Sequence, residues 1–464
     1  MKDLTQGPIY KHLIFMSIPI MVGMFVQTLY FLVDLYFIGQ LGDVALAGVS
    51  SAGTLFFFVM ALTQVLNVGV GTLVSHAVGR KDQQHANLIF NQGLCISILC
   101  VFILAMLGVI AGPVFFSNMA PDAATYEAGL SYFYWFLPTL LLQFPMTVIV
   151  AALRGAGVVK QPMMISMLAV VINIVLSPML ITGWGFGLEM GVAGAALASS
   201  LATALGLLAL CWYFHFKESY LHFSINKCMP KAIEIKGIIG LGLPAGGEFL
   251  LSFAYMSIIY WVLREFDASA QAGFGVGVRV MQALFLPVMA VAFAAPAVAG
   301  QNFAAGNTQR VYQTYHQTAL LTCGCMLVLN LVCWLYAEYF LAPFSNDQNV
   351  ILVATIFLSY VCFNFIPAGY VFAASGMFQA LGNTWPALMS TATRLGLFAL
   401  PVIWLSMQPD FNIEVIWVFS VATVYVQALV SFILLRKELR KKLSGAFAPT
   451  ETDLEGEPQQ PSNA

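Results

Sequence analysis

The sequence predicts an all-α polytopic membrane protein, with twelve transmembrane helices in two six-helix parallel repeats around a central cavity. Three observations predict it: a composition no water-soluble domain shares, twelve apolar runs of membrane-spanning length, and a weak internal repeat. Of 464 residues, 60% are hydrophobic and only 9% charged, against roughly 25% charged in soluble domains. The mean hydropathy is +0.85. A water-soluble fold is therefore excluded.

Crossing about 30 Å of hydrocarbon at 1.5 Å per residue takes roughly 20 apolar residues. Cutting the chain where charges, Pro or Gly clusters interrupt runs of that length gives the spans in order. The first, 12–38, follows Lys11 and stops at Gly39; the second, 45–78, lies between Asp43 and Arg80. The third, 88–117, begins after the polar stretch that ends at His85, and the fourth, 127–153, ends at Arg154. Lys160 and Gly183 bound the fifth, 162–183, and Lys217 closes the sixth, 191–215. The seventh, 237–263, sits between Lys236 and Arg264, and the eighth, 270–303, between Asp267 and Gly306. Arg310 precedes the ninth, 313–342, and Asp347 the tenth, 350–376. The last two are 385–407, after Gly382 and Asn383, and 413–435, closed by Arg436. The first run is too long for a signal-peptide core and has no small-residue cleavage site after it, so it is expected to remain as a membrane helix.

An even span count puts both termini on one side. Of the 19 basic residues, all but Arg264, Arg279 and Arg394 fall at the termini or in even-numbered gaps, whereas Asp122, Glu189, Asp267, Asp347 and Asp410 lie in odd-numbered ones. Basic residues stay cytoplasmic, so a multi-pass plasma-membrane protein, in a bacterium the inner membrane, is expected with both termini in the cytoplasm. The formal net charge of -2 leaves no basic excess to hold nucleic acid. The eight cysteines lie mostly in apolar runs and match no metal-ligand spacing, which makes them small core hydrophobes.

Sliding one half over the other by about 225 residues brings out the repeat. Pro19 falls on Pro244, and Ala45-Leu46-Ala47-Gly48 falls on Ala270-Gln271-Ala272-Gly273. Phe90-Asn91-Gln92 meets Tyr315-His316-Gln317, and Arg154-Gly155-Ala156-Gly157 meets Gln379-Ala380-Leu381-Gly382. The expected organisation is an N-terminal six-helix half at 1–216, a cytoplasmic linker at 217–236, a C-terminal half at 237–443 and a disordered tail at 444–464. Even-numbered halves repeat in parallel, as in transporters whose halves rock about a central cavity.

Three stretches carry a family resemblance. They are Ile18-Pro19 through Leu29-Tyr30 to Val33-Asp34 and Ile38-Gly39; Gly277-Val278-Arg279 through Pro287 to Gly300-Gln301-Asn302; and the paired turns after Leu153 and Phe378. Together, over roughly residues 8–440, they resemble the multidrug and toxic compound extrusion (MATE) transporters, and within them the DinF-like branch. The resemblance implies secondary active export of amphiphilic, often cationic organic compounds against an inward ion gradient. A flippase for lipids or lipid-linked saccharides is the near alternative. An intramembrane transferase is the distant one, and it lacks support, since the six His are scattered and no Asp-rich magnesium motif exists. Nor is there a nucleotide-binding P-loop.

Physics singles out the residues that could do this work. Asp34 lies inside the outer end of the first span, where a carboxylate costs several kcal/mol unless protonated, paired or wet. Tyr30, Gln27 and Gly23 recur on the same helical stripe, which is expected to face the cavity. Asn173 and Ser177 share a face of the fifth span, as Ser199 and Thr203 do on the sixth. In DinF-like relatives the ion site joins the first-helix Asp to an Asn, a second Asp four residues on and a sixth-helix hydroxyl. Asn173 and Ser199 match by motif, but Ser177 stands where the second Asp would be. The expected ion-coupling set is Asp34, Asn173 and Ser199, with Gln27, Tyr30, Ser177 and Thr203 as the cavity stripe. With one carboxylate the coupling ion is expected to be H+, because desolvation favours the neutral form of a lone Asp; Na+ held by Asp34, Asn173 and Ser199 is the alternative. Pro19, which removes an intrahelical hydrogen bond, is the hinge candidate.

In the second half Glu248, Arg279 and Arg394 fall near the bilayer midplane, and an ion pair between Glu248 and one Arg is the expected way to hold them. No metal centre or cofactor is expected. The partners are drug-like small molecules and membrane lipids, and the protein is expected to act as a monomer.

Overall fold

The computed structural model describes residues 3–120, 122–185, 189–224, 227–344, 347–409 and 411–443. Lys2, Asp410 and the tail from Ser444 onward lie outside the described residues. The chain forms α1 (Ile9–Gly39), α2 (Asp43–Gly79), α3 (Gln83–Met119), α4 (Ala123–Gly155), α5 (Lys160–Thr182), α6 (Gly191–Phe216) and α7 (Ala232–Leu263). After these come α8 (Ala268–Ala304), α9 (Thr308–Leu341), α10 (Gln348–Val361), α11 (Phe365–Ala380), α12 (Trp385–Ser406) and α13 (Ile413–Leu443). A single 3-10 turn, Cys362–Asn364, joins α10 to α11, so the two make one span, and the described residues hold 12 helices able to cross a membrane.

Several helices outrun the apolar runs that predict them. α3 begins at Gln83 because Asp82 caps it, its carboxylate accepting from the His85 backbone N–H at 2.9 Å. Asp122 caps α4 through the Thr125 N–H at 2.7 Å, and that bond holds its carboxyl below the usual range. α7 starts at Ala232, inside the charged connection expected to run to 236, and α13 continues through Arg436 to Leu443. A helix turn in water needs no apolar residue, so hydropathy does not register it.

The repeat is visible in atomic detail. Gly157 and Gly382 both sit at positive φ, +79° and +68°, where a side chain would strain the backbone. The bonds around them match: Gly157 N–H to Arg154 C=O and Val158 N–H to Leu153 C=O in one half, Gly382 to Gln379 and Asn383 to Phe378 in the other. These are Schellman-type helix ends. Gly48 of α2 lets α4 approach so closely that an added Cβ would lie 2.7 Å from the Gly129 nitrogen. Gly273 of α8 does the same against α10, 2.7 Å from Val353. Helices two and four of each half thus pack alike.

One apolar core fills the first half, around Phe90, Phe144, Phe133 and Phe214, and a second fills the other, around Trp417, Phe274, Phe357 and Phe398. A smaller cluster joins α1 to α8 through Leu13, Met16, Ala294 and Val298. At the end of the bundle that carries the first and last described residues, α2 and α8 pack backbone against backbone, and a Cβ on Gly79 would fall 2.2 Å from the Gln301 carbonyl oxygen. Gln301 Nε2 donates to the Gly155 carbonyl at 2.9 Å, and a His76 ring nitrogen lies 2.7 Å from the Ala380 carbonyl. Leu4 is fully buried there, its N–H held by Gln301 Oε1 and its carbonyl by Asn302. This end is closed.

Candidate functional site

α1 presents Ile20, Gly23, Met24, Gln27 and Tyr30 along one stripe, and that stripe forms a wall of a cavity of about 410 Å3. α2, α4, α5 and α6 supply most of the remaining walls, with Phe249, Met289 and Phe293 reaching in from α7 and α8. The lining is mixed: Met and Phe side chains alternate with Gln64, Asn67, Gln143, Ser166, Asn173, Ser199 and Thr203. Gln27, Tyr30 and Thr203 of the expected stripe line the cavity, and so do Asn173 and Ser199 of the expected ion-coupling set.

Asp34 lies one turn beyond Tyr30, behind the wall, and is 6% exposed. The Ser177 hydroxyl is 3.4 Å from Asp34 Oδ1 and 3.2 Å from Asn173 Oδ1. Having one hydrogen, it can donate to only one of them at a time. Asn173 Nδ2 donates to Ser199 Oγ at 3.1 Å, and Ser199 Oγ lies 2.7 Å from the Tyr30 hydroxyl. A hydrogen-bonded chain therefore runs from Asp34 through Ser177, Asn173 and Ser199 to Tyr30. Ser177 is fully buried and belongs to this chain, not to the cavity lining in which the spacing alone places it. Pro19 lies inside α1, which stays helical through it, one residue before the cavity stripe begins at Ile20.

The expected ion pair in the second half is not formed. The Glu248 carboxylate accepts from Ser375 Oγ at 3.1 Å. Arg394 instead donates to Gln427 Oε1 at 3.4 Å and sets its guanidinium 4.4 Å from the centre of the Tyr255 ring, while Arg279 is exposed. The described salt bridges include none of the three. A hydroxyl and an aromatic face satisfy these groups where an opposite charge was expected, because the rotation of each helix about its axis, which sequence spacing leaves open, decides which side chains meet.

The charge rule puts Arg154 in a connection, and the structure puts it elsewhere. Arg154, at the C-terminal end of α4, turns back into the cavity wall, donates to Asn67 Oδ1 at 2.7 Å and lies 5.8 Å from the Phe293 ring centre. A reach of several methylenes lets an Arg Cα sit at a helix end while its head lies inside. The polar residues facing it, Gln64 and Asn67, are spaced at i and i+3 on α2, a signal the sequence does carry.

The sequence profile of the MatE family matches residues 19–179 and 244–405, one match in each repeat. The chain belongs to the MatE family. This MATE protein is 30% identical to a probable multidrug resistance protein, YpnP, of Bacillus subtilis, across 82% of its own length and 86% of the relative's. It is 27% identical to a protein of Shewanella oneidensis named as an FAD transporter, covering 87% and 90% of the two chains. Its fold matches a multidrug resistance MATE transporter solved in an outward-facing conformation, with a TM-score of 0.88 at 23% identity over 95% and 98% of the chains. Membership makes it a multi-pass membrane transporter of the multidrug efflux family, not an enzyme.

Proposed function

We propose that this MATE protein exports amphiphilic organic compounds through the cavity beside α1 in exchange for inward-moving protons, with Asp34 as the proton carrier. The observation that carries the reading is the single carboxylate at the head of a hydrogen-bonded chain ending at the cavity wall. When Asp34 is ionised, the Ser177 hydroxyl donates to it. When Asp34 is protonated its own O–H donates to Ser177, whose hydrogen turns to Asn173 Oδ1, and the amide so polarised donates more strongly to Ser199 Oγ, the partner of the Tyr30 hydroxyl. Proton uptake thus alters the face that touches cargo. Pro19, at the foot of the stripe, gives α1 a point at which to bend as the wall rearranges.

Sodium is less well served. An ion stripped of water needs several oxygens and charge to offset its lost hydration, and Ser177 supplies a hydroxyl where a second carboxylate would stand. The orientation that goes with this reading has both termini in the cytoplasm of a bacterial inner membrane, in keeping with the distribution of basic residues. Asp34→Asn tests the assignment: gradient-driven efflux from proteoliposomes should be lost while the melting profile in detergent is retained. A variant that still pumps would remove Asp34 from the mechanism.

A further inference from the structure

Arg154 is the one charged side chain among the described residues that line the cavity. Asp34 and Glu248 both lie outside the lining, and Glu248 is bonded to Ser375. No carboxylate lies within ion-pair distance of Arg154 among the described residues. Among the described residues its side chain donates to a neutral amide, Asn67 Oδ1, and Asn67 in turn donates to Gln64 Oε1 at 2.6 Å. A guanidinium carries five N–H donors and does not deprotonate. The site thus holds a fixed positive charge with donor capacity to spare, beside the closed end where Gln301 bonds Gly155. Above it the walls are apolar and in part aromatic, with Phe136, Phe249, Phe293, Met146 and Met289.

We propose that the cavity takes small aromatic amphiphiles bearing an oxyanion, with the anionic group held in the Arg154 fork and the ring among Phe136, Phe249 and Phe293. The proposal deepens the reading of this cavity as the cargo site and rests on it. Three features set the class. A cationic cargo would meet a like charge and no carboxylate in the lining, which disfavours it in a low-dielectric site. A phosphate or carboxylate matches the planar fork in two parallel hydrogen bonds. The volume of about 410 Å3 is in the range of small-molecule sites, and the Phe side chains offer faces to a flat ring more than a path for an acyl chain.

Riboflavin and flavin mononucleotide share one ring system and differ by one phosphate, so they test the charge alone. Binding is read from flavin fluorescence on the full-length protein in detergent at constant ionic strength, without any ion gradient, so that a failure here is distinct from a failure of proton coupling. Flavin mononucleotide should bind about tenfold or more tighter than riboflavin. That preference, read as the ratio of the two affinities within each protein, should vanish in Arg154→Gln and persist in reduced form in Arg154→Lys. A merely structural Arg154 would instead move both flavins together. Absence of phosphate-dependent binding to the wild type, whether both flavins bind alike or neither binds, overturns the proposal. So does tighter binding of ethidium than of flavin mononucleotide, or a phosphate preference that survives in Arg154→Gln. Displacement of the nucleotide by phosphatidylglycerol at equal concentration would give the fork to a lipid headgroup and also overturn it. Should Arg154→Gln fail to fold, the wild-type pair and Arg154→Lys still decide.

Discussion

Ser177 stands between Asp34 and Asn173 with one hydrogen for two acceptors, at 3.4 Å and 3.2 Å. On the proposed reading, which acceptor it serves depends on whether Asp34 carries a proton, and the pair acts as a two-position switch. Replacing Ser177 by Asp removes the switch and adds the carboxylate that a sodium site lacks. We expect Ser177→Asp to melt at a temperature that rises with sodium at constant ionic strength, while the wild type shows no such rise. Equal responses in the two proteins would mean that carboxylate number does not set the ion.

The far end of the chain is testable by itself. Tyr30→Phe removes the hydroxyl 2.7 Å from Ser199 Oγ and keeps the ring in the cavity wall. A neutral hydrogen bond of this kind is worth about 1 kcal/mol, so efflux should slow several-fold with fold and cargo affinity kept. Unchanged transport rates would place Tyr30 outside the coupling path.

At the closed end, Gly79 is required by contact and not by turn geometry. A methyl group there meets the Gln301 backbone carbonyl at 2.2 Å, and backbone cannot yield as a flexible side chain does. Gly79→Ala should force α2 and α8 apart, cost about 1–3 kcal/mol of stability and abolish efflux. A variant with wild-type melting and transport would show that the two helices do not need this approach.

Glu248 bears on how buried charge is held. With Ser375 as its donor and no Arg paired to it, Glu248→Gln keeps an acceptor oxygen for the same hydrogen bond. The melting temperature should shift by less than about 2 °C. A larger fall would mean that the carboxylate charge itself supports the fold.

How far the sequence reaches is clear from these residues. The twelve spans are legible because membrane helices must bury every backbone group in continuous apolar runs, and the stripe of Gln27 and Tyr30 because helical spacing fixes a shared face. The matched turns ending at Gly157 and Gly382 are legible because only a small set of residues tolerates positive φ. What is not legible is contact between helices. The pairing of Glu248 with Ser375, the stacking of Arg394 on Tyr255 and the inward reach of Arg154 all depend on helix rotation and side-chain direction. A rule that assigns basic residues to loops comes close for the Arg154 Cα, which lies in the last turn of α4, and misplaces its guanidinium. Ser177 illustrates the same limit, since its spacing puts it on the right helix face and only packing shows that Asp34 stands in front of it.

Proton exchange at Asp34 is the central claim, and it is tested most directly by efflux of a fluorescent cargo from proteoliposomes under one gradient at a time. The account predicts that a pH gradient drives efflux in sodium-free buffer, and that a sodium gradient with the pH gradient collapsed drives none. Efflux sustained by sodium alone would contradict it.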